Sequence, residues 1–356
     1  MTHTKNHQGE WVRLVESAVR IKQLAPWQWM NEEDVFAIKH PKTGEIGFIS
    51  VMGALGRHVA VAVYLGSHAF AKFNALRHAP PNFLDEYPEL LLEIPQLQAS
   101  FEDRDDLEEW DRQLLRSLNL KFRGRKAWPR FQSFRPGFMP WRLEPDEVRF
   151  LTLALEQLEQ VAPRAHTDRS FLQGEDTSTF LLRARRMKEG RTGEWEDRYL
   201  RTPPPEFPPV PLAWDPGDIK ELKRMRPQED VIELDFFQYP GAIGKKGERP
   251  QAGYILLALH AQSNLIFGVE TLHVTESIER MWGQIPGILL HRLVGPGMRP
   301  KEIHVQSQLL VNVLQTAFKE LGTRIVLKPS LKKLRAAKRE MFAFFEKRPS
   351  PIRGYK

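Results

Sequence analysis

Two apolar segments joined by a polar turn make up the stretch from Tyr254 to Val274, YILLALHAQSNLIFGVETLHV. Both segments are mostly apolar, and the residues between them, Ala261 to Asn264, include serine and asparagine, which favour turns. The pattern predicts two paired strands, Tyr254 to His260 and Leu265 to Val274. The preceding segment Val231 to Gln238 has a similar composition and predicts a third strand.

Helices and short apolar strands alternate after these three strands. The predicted elements are a helix Glu276 to Leu293, a strand Glu302 to Gln306, a helix Ser307 to Leu321, a strand Thr323 to Leu327 and a helix Ser330 to Phe345. Pro286-Gly287 should kink or split the first helix. Such alternation implies right-handed crossovers and a mixed sheet covered on both faces. By element order alone, this part resembles a ribonuclease-H-like α/β domain.

The sequence of residues 1–202 predicts a separate α+β domain. Three short apolar segments separated by glycine and proline indicate an antiparallel meander: Val35 to Lys39, Ile46 to Met52 and Val59 to Leu65. The same reasoning predicts helices at Trp11 to Leu24, Ser67 to Leu76, Asp105 to Leu118 and Glu144 to Val161, a strand at Leu97 to Phe101 and a hairpin of Thr179 to Arg186 with Glu194 to Arg201. We therefore expect an antiparallel meander with helices.

A proline-rich segment separates the two predicted domains. Residues 202–211 contain six prolines, which cannot donate the backbone hydrogen bonds that a helix or a sheet needs. The expected organisation is an α+β domain over residues 1–202, a linker over 203–215 and the ribonuclease-H-like domain over 216–356.

Composition narrows the chemistry available to the chain. The 356 residues include no cysteine, so disulfides, zinc–thiolate sites and thiol nucleophiles are excluded. The first eight residues have no apolar core of a signal peptide, and no 18-residue apolar run occurs, so we expect a cytoplasmic protein without a membrane partner. The net charge is +7, and residues 322–356 alone carry 11 Lys and Arg against two Glu. This localised positive charge favours a polyanionic partner.

Several short motifs point to a family. They are Pro26-Trp27, Asp34, Phe36, Pro41, Gly44, Ser50-Val51-Met52-Gly53, Gly56 and Tyr64-Leu65-Gly66, then Arg123-Gly124-Arg125, Trp128-Pro129, Arg135-Pro136-Gly137 and Pro140-Trp141, and finally Arg249-Pro250 and Arg299-Pro300. In these motifs the chain resembles a bacterial family built from two consecutive domains of unknown function. The resemblance spans most of the chain and implies no particular reaction.

The segment Lys121 to Leu143 has the most unusual composition. It has no acidic residue, seven basic ones (Lys121, Arg123, Arg125, Lys126, Arg130, Arg135 and Arg142) and six aromatic ones (Phe122, Trp128, Phe131, Phe134, Phe138 and Trp141). Cations that neutralise phosphates and rings that stack on unpaired bases suit single-stranded nucleic acid. Alternatively, the prolines and Gly137 indicate a loop whose aromatics anchor it to the core, while its arginines cap helix C-termini or stack on Trp128 and Trp141.

The last predicted helix is basic and amphipathic. Its apolar face, which should pack on the sheet, comprises Leu331, Leu334, Ala337, Met341 and Phe345. Its other faces carry Lys332, Lys333, Arg335, Lys338 and Arg339, for which phosphate is the expected ligand if they bind anything.

A nuclease of the resembled fold needs clustered carboxylates, because two divalent cations must be held by oxygen ligands. In one strand register the candidates are Asp235, Glu279 (or Glu276) and Glu340, but Gln306 stands about where a metal-binding aspartate would sit. In the other register His260 takes the place of an aspartate. A neutral amide binds magnesium poorly, so a complete two-metal site is not expected.

The sequence therefore predicts a non-catalytic binding protein without a cofactor. Its expected ligand is nucleic acid or an acidic protein partner. Two alternatives remain: a divalent-metal nuclease or other hydrolase with a degenerate site, and a protein interaction scaffold, which should expose an apolar patch in place of a basic one.

Overall fold

The chain forms two compact units in the computed structural model. The structure describes residues 8–54, 56, 58–79, 88–174, 179–188, 191–202, 204–205, 208–245 and 247–347. Unit 1 contains the residues up to 136 together with 140–207, and unit 2 contains 137–139 and the residues from 208 onwards. Each unit has its own hydrophobic core.

Unit 1 contains a seven-stranded sheet. Its strands are Phe36–Lys39 (β1), Ile46–Met52 (β2), Ala60–Leu65 (β3), Gln96–Glu102 (β4), Trp128–Phe134 (β5), Thr179–Lys188 (β6) and Arg191–Arg201 (β7). Their order across the sheet is β5-β4-β3-β2-β1-β6-β7. All neighbouring pairs are antiparallel except β1 and β6. The predicted meander is confirmed, and it continues through β4 into β5.

Four α-helices accompany this sheet within the described residues: Gln8–Leu24 (α1), Gly66–Arg77 (α2), Glu109–Ser117 (α3) and Pro145–Thr167 (α4). Alternation along β2 sends neighbouring side chains to opposite faces. Ile49 lies in the main core with α1 and α4, whereas Phe48 stacks on Phe70 of α2 with a ring separation of 4.2 Å. Both faces of the sheet are therefore packed.

Unit 2 contains a five-stranded mixed sheet. Its strands are Gln228–Ile243 (β8), Gln251–His260 (β9), Ile266–His273 (β10), Pro300–Val305 (β11) and Arg324–Leu327 (β12). They lie in the order β10-β9-β8-β11-β12. The first three pair antiparallel, and β11 pairs parallel with both β8 and β12. The predicted mixed sheet is confirmed.

Helices cover both faces of this sheet. They are Pro216–Arg224 (α5), Ile278–Gly283 (α6), Ile285–Val294 (α7), Gln308–Lys319 (α8) and Lys332–Lys347 (α9). The predicted split caused by Pro286 occurs at Gln284, between α6 and α7. On the opposite face, Leu334 of α9 packs with Phe237 and Leu257, as its apolar pattern predicts. The side chain of Phe345 and residues 348–356 lie outside the described part of the chain.

Two short segments belong to unit 2 although the sequence places them elsewhere. Residues 210–214, expected in the linker, pack on its core, and the Ala213 N–H donates to the Gly283 carbonyl at 2.9 Å. The segment Gly137–Met139, expected in the first domain, bonds to the start of β9, because the Ala252 N–H donates to the Gly137 carbonyl at 2.9 Å. Backbone pairing of this kind leaves no periodic signal in so short a segment.

Candidate functional site

The basic and aromatic segment at 121–143 is not simply a loop, since Trp128–Phe134 forms the edge strand β5. Its residues alternate between half-buried and buried, with Phe131 in the core. Pro129 is compatible with the strand because an edge strand leaves one row of N–H groups unpaired. The loop interpretation is therefore wrong over these seven residues, because the two-residue period is masked by prolines and charged side chains.

Most of the cations in and around β5 are engaged. Arg130 donates to Glu108 at 2.5 Å and lies 3.5 Å from a carboxylate oxygen of Asp111. Arg135 pairs with Glu144 at 2.9 Å and with Glu147 at 2.8 Å. The Lys126 ammonium donates to the Gly56 carbonyl at 2.8 Å. The two arginines thus pair with acids at the starts of helices, whereas the loop interpretation expected them to cap helix C-termini.

Each tryptophan of the segment is half-buried and contacts a neighbouring side chain. Trp128 is half-buried and contacts the ring of Phe122, with ring centroids 5.6 Å apart. Trp141 is half-buried, and the Arg142 guanidinium lies 5.2 Å from its ring centroid. Stacking of an arginine on Trp141 is the arrangement that the anchored-loop alternative predicts.

Three cations remain available at the entrance to β5. Lys121, Arg123 and Arg125 are exposed, and their side chains form no ion pair or hydrogen bond within the described part of the chain. A positive φ at Gly124 turns the backbone between the two arginines. We call Lys121–Arg125 the basic loop.

The basic helix α9 also has some cations that are exposed and others that are bonded or buried. Lys332 and Arg339 are exposed and have no side-chain partner among the described residues, and Arg335 is exposed too. Lys333 donates to the Ala261 carbonyl. Lys338 is mostly buried, so it is not part of a solvent-facing cationic surface.

Lys338 faces the carboxylate that the nuclease alternative needs most. Its ammonium lies 3.8 Å from Asp235 and 4.0 Å from the ring centroid of Phe237. Burial raises the pKa of Asp235, and the Lys338 charge opposes that rise. A fixed cation therefore already sits beside this carboxylate on the central strand β8.

Within the described residues, the other nuclease candidates do not complete a three-residue metal site with Asp235. Glu279 lies in the first turn of α6, and Glu340 is exposed on α9. Gln306 donates to the Pro329 carbonyl at 3.3 Å, while His260 lies 3.1 Å from Asp230. Among the residues described here, no three histidine or acidic side chains are grouped so that they could hold a metal ion. The carboxylates named from sequence are therefore not brought together.

An apolar edge in unit 2 bears on the scaffold alternative. Ile266 and Val269 of the edge strand β10 are 44% and 47% exposed, and Leu265 just before the strand is 63% exposed. An edge strand with exposed apolar side chains can accept another strand. The scaffold alternative thus stays a prediction beside nucleic-acid binding.

Sequence reasoning missed one pocket in unit 1. It lies where the first turn of α3 meets β5 and residues 140–142, and its volume is about 60 Å³. The residues that line it include Glu108, Trp110, Asp111, Arg130, Trp141 and Arg142. They come from three separate parts of the sequence, so no local motif predicts their convergence.

The pKa of Asp111, which lines this pocket, is strongly shifted. Burial raises its pKa to about 6, although the charge of Arg130 acts in the opposite direction. Asp111 also closes a capping box with Glu108 at the start of α3. The Glu-x-x-Asp spacing could have predicted that cap from the sequence, but not the burial of the aspartate.

Fold and site together define a two-domain α+β protein with a meander-based first domain and a mixed-sheet second domain. Residues 11–183 match the family model described as Domain of unknown function (DUF7309), and residues 218–342 match Domain of unknown function (DUF6930). The chain belongs to the proteins in which these two domains follow one another. The resemblance to a family of two consecutive domains of unknown function is thereby confirmed.

Other comparisons add little. No curated protein matches the chain. Among solved structures, a chain of the simian T-cell lymphotropic virus intasome in complex with PP2A regulatory subunit B56 gamma matches 35% of this chain and 44% of its own length, at 15% identity and a TM-score of 0.24. A similarity this low assigns neither fold nor function. No described helix is long and apolar enough to cross a membrane.

Proposed function

We propose that this protein is a non-catalytic binding protein whose ligand is single-stranded nucleic acid, engaged by the basic loop. The supporting observation is that the segment Lys121 to Leu143 contains, among its described residues, both paired and unpaired cations. Arg130 and Arg135 are paired with acids, whereas Lys121, Arg123 and Arg125 are exposed without a partner among the described residues. Three unneutralised cations within five residues form a local positive field that favours phosphate.

The salt dependence of binding tests this proposal. Three phosphate contacts to a single strand should give a slope of about −2 in log K against log salt. Affinity of the full-length protein for a fluorescein-labelled single-stranded oligonucleotide should therefore fall roughly 20-fold between 50 and 200 mM salt. Fluorescence anisotropy measures this directly. An absence of binding at 50 mM salt, or a flat salt response, would rule the proposal out.

The second unit supports binding over cleavage. We infer that it is a ribonuclease-H-like domain, because its strand order of third, second, first, fourth and fifth, with a parallel fourth strand, agrees with the element order. In that arrangement Asp235 on the first strand would be a metal ligand, yet the Lys338 ammonium lies 3.8 Å away. A fixed positive charge at this distance repels a divalent cation.

Incubation of the purified protein with Mg²⁺ or Mn²⁺ and labelled DNA or RNA should therefore give no cleavage. Divalent-metal-dependent cleavage that an Asp235→Asn variant abolishes would restore the nuclease alternative. An Asp230→Asn variant is the matched control for the substitution.

A further inference from the structure

We propose that the pocket between α3, β5 and residues 140–142 reads one unpaired base that carries an exocyclic amino group, with Asp111 as the acceptor. The inference rests on the proposed function, since the base would belong to a strand whose phosphates contact the basic loop. It adds what that function lacks, namely a means of distinguishing bases.

The walls of the pocket suit a flat ring. Trp110 and Trp141 are half-buried, and the Arg142 guanidinium lies 5.9 Å and 5.2 Å from their ring centroids. Indole and guanidinium planes are the surfaces on which unpaired bases stack. The volume of about 60 Å³ is far below that of a typical cofactor pocket. A ligand would therefore insert only its polar edge and stack its ring at the mouth.

The floor of the pocket supplies a hydrogen-bond acceptor. Asp111 is buried, and the described contacts to its carboxylate fall on Oδ2: the Glu108 N–H donates at 3.1 Å and the Arg130 Nε lies 3.5 Å away. Oδ1 has no described contact. A carboxylate oxygen that lines a pocket and receives no described hydrogen bond from the protein can accept one from a ligand.

The pocket and the basic loop adjoin the same strand face. Residues two apart on a strand point the same way, so Trp128, Arg130 and Gln132 share one face of β5. Arg130 and Gln132 line the pocket, and Trp128 contacts Phe122 of the basic loop. Trp128 and Gln132 are about 13 Å apart along the strand, given about 3.3 Å per residue. One strand of nucleic acid can therefore reach both places.

The chemistry of the acceptor selects the base. Cytosine presents an amino group at C4, whereas uracil and thymine present a carbonyl oxygen there. A carboxylate accepts a hydrogen bond from the amino group and repels the carbonyl oxygen. The pocket should thus prefer cytosine to uracil, two bases of nearly equal size.

Full-length protein titrated with labelled 12-mers of deoxycytidine and of deoxyuridine tests this inference. We expect the deoxycytidine oligomer to bind roughly tenfold more tightly, the value of one hydrogen bond to a charged acceptor. An Asp111→Asn variant should lose most of the preference, because an amide offers both a donor and an acceptor. Asp105→Asn, which changes an exposed acid nearby in the sequence, should keep it.

The outcomes distinguish a failure of this inference alone from a failure of the proposed function. Equal, salt-dependent binding of both oligomers by the unaltered protein would overturn the inference and leave nucleic-acid binding intact. Binding of neither oligomer would overturn both. A preference for deoxycytidine that survives in Asp111→Asn would assign the selectivity to another site and also overturn the inference. The comparison on the unaltered protein remains decisive even if Asp111→Asn fails to fold.

Discussion

Lys338 illustrates how one side chain can change the meaning of a sequence pattern. As part of a basic helix it counted among the candidate phosphate ligands, but its ammonium is mostly buried beside Asp235 and over Phe237. Spacing along α9 separates its apolar face from its charged faces. It does not reveal that a charged residue at the boundary turns inward to neutralise a buried carboxylate.

Replacing Lys338 by methionine should destabilise the protein more at high pH than at low pH. The substitution removes the charge that opposes the burial-raised pKa of Asp235, so that pKa rises further. A raised folded-state pKa gives stability that is present at low pH and lost as the pH rises through it. We expect the free energy of unfolding to fall by about 3 kcal/mol at pH 8 and by less at pH 5, measured by urea denaturation.

Arg339→Met is the control for this experiment, since Arg339 is exposed on the same helix. It should change the free energy of unfolding by less than about 0.5 kcal/mol at either pH. Equal losses for Lys338→Met at pH 5 and pH 8 would contradict the assigned role of the ion pair.

At the level of residues, the sequence identified charges but not their partners. Of the candidate phosphate ligands, Lys121, Arg123, Arg125, Lys332 and Arg339 remain exposed without a described partner. Arg130 and Arg135 are neutralised by acids near the starts of α3 and α4, which lie nine to 22 residues away in sequence. Composition over a window cannot separate these two groups, because pairing depends on how the helices pack on β5.

Among the elements, apolar periodicity predicted most strands of both sheets. β9 and the strands of the meander are nearly continuous runs of buried residues, and their short length between turn residues indicates strands rather than helices. Apolar periodicity did not predict β5, because its half-buried face carries tryptophan, arginine and glutamine. In addition, Pro129 argues against a central strand. An edge position removes that objection, and edge positions are not visible in a sequence.

The junction between the proline-rich segment and α6 gives an element-scale prediction. A Cβ on Gly283 would lie 2.1 Å from the Pro211 carbonyl oxygen, so backbone would have to move. Gly283→Ala should therefore lower the free energy of unfolding by about 2 kcal/mol or more. Thermal or urea denaturation measures the loss.

Gly295, at the end of α7, is the matched control. It has helical dihedral angles, and nothing lies within 4 Å of its added Cβ. Gly295→Ala should stabilise the protein by about 0.5 kcal/mol, because alanine loses less backbone entropy on folding. A harmless Gly283→Ala would show that residues 210–214 do not pack on α6 as described.

For the molecule as a whole, the net charge of a segment does not show which of its cations are exposed. The last 35 residues carry a net charge of +9, and the rest of the chain sums to about −2. Even so, the best supported candidate surface lies in unit 1, where the basic loop stands apart from the acids that neutralise its neighbours. Net charge by segment therefore predicts a polyanionic ligand, while the structure shows which cations are exposed.

We propose that the basic loop binds the phosphates of single-stranded nucleic acid. The salt slope of oligonucleotide binding by the triple variant Lys121→Glu, Arg123→Glu, Arg125→Glu tests this proposal. The comparison is with Lys220→Glu, Arg224→Glu, Arg226→Glu, which reverses three positive charges at exposed positions in unit 2. We predict that the first variant reduces the slope by about 2 and weakens binding about tenfold or more at 100 mM salt, while the second retains the slope. Equal weakening in both variants, or no change in the first, would contradict the claim.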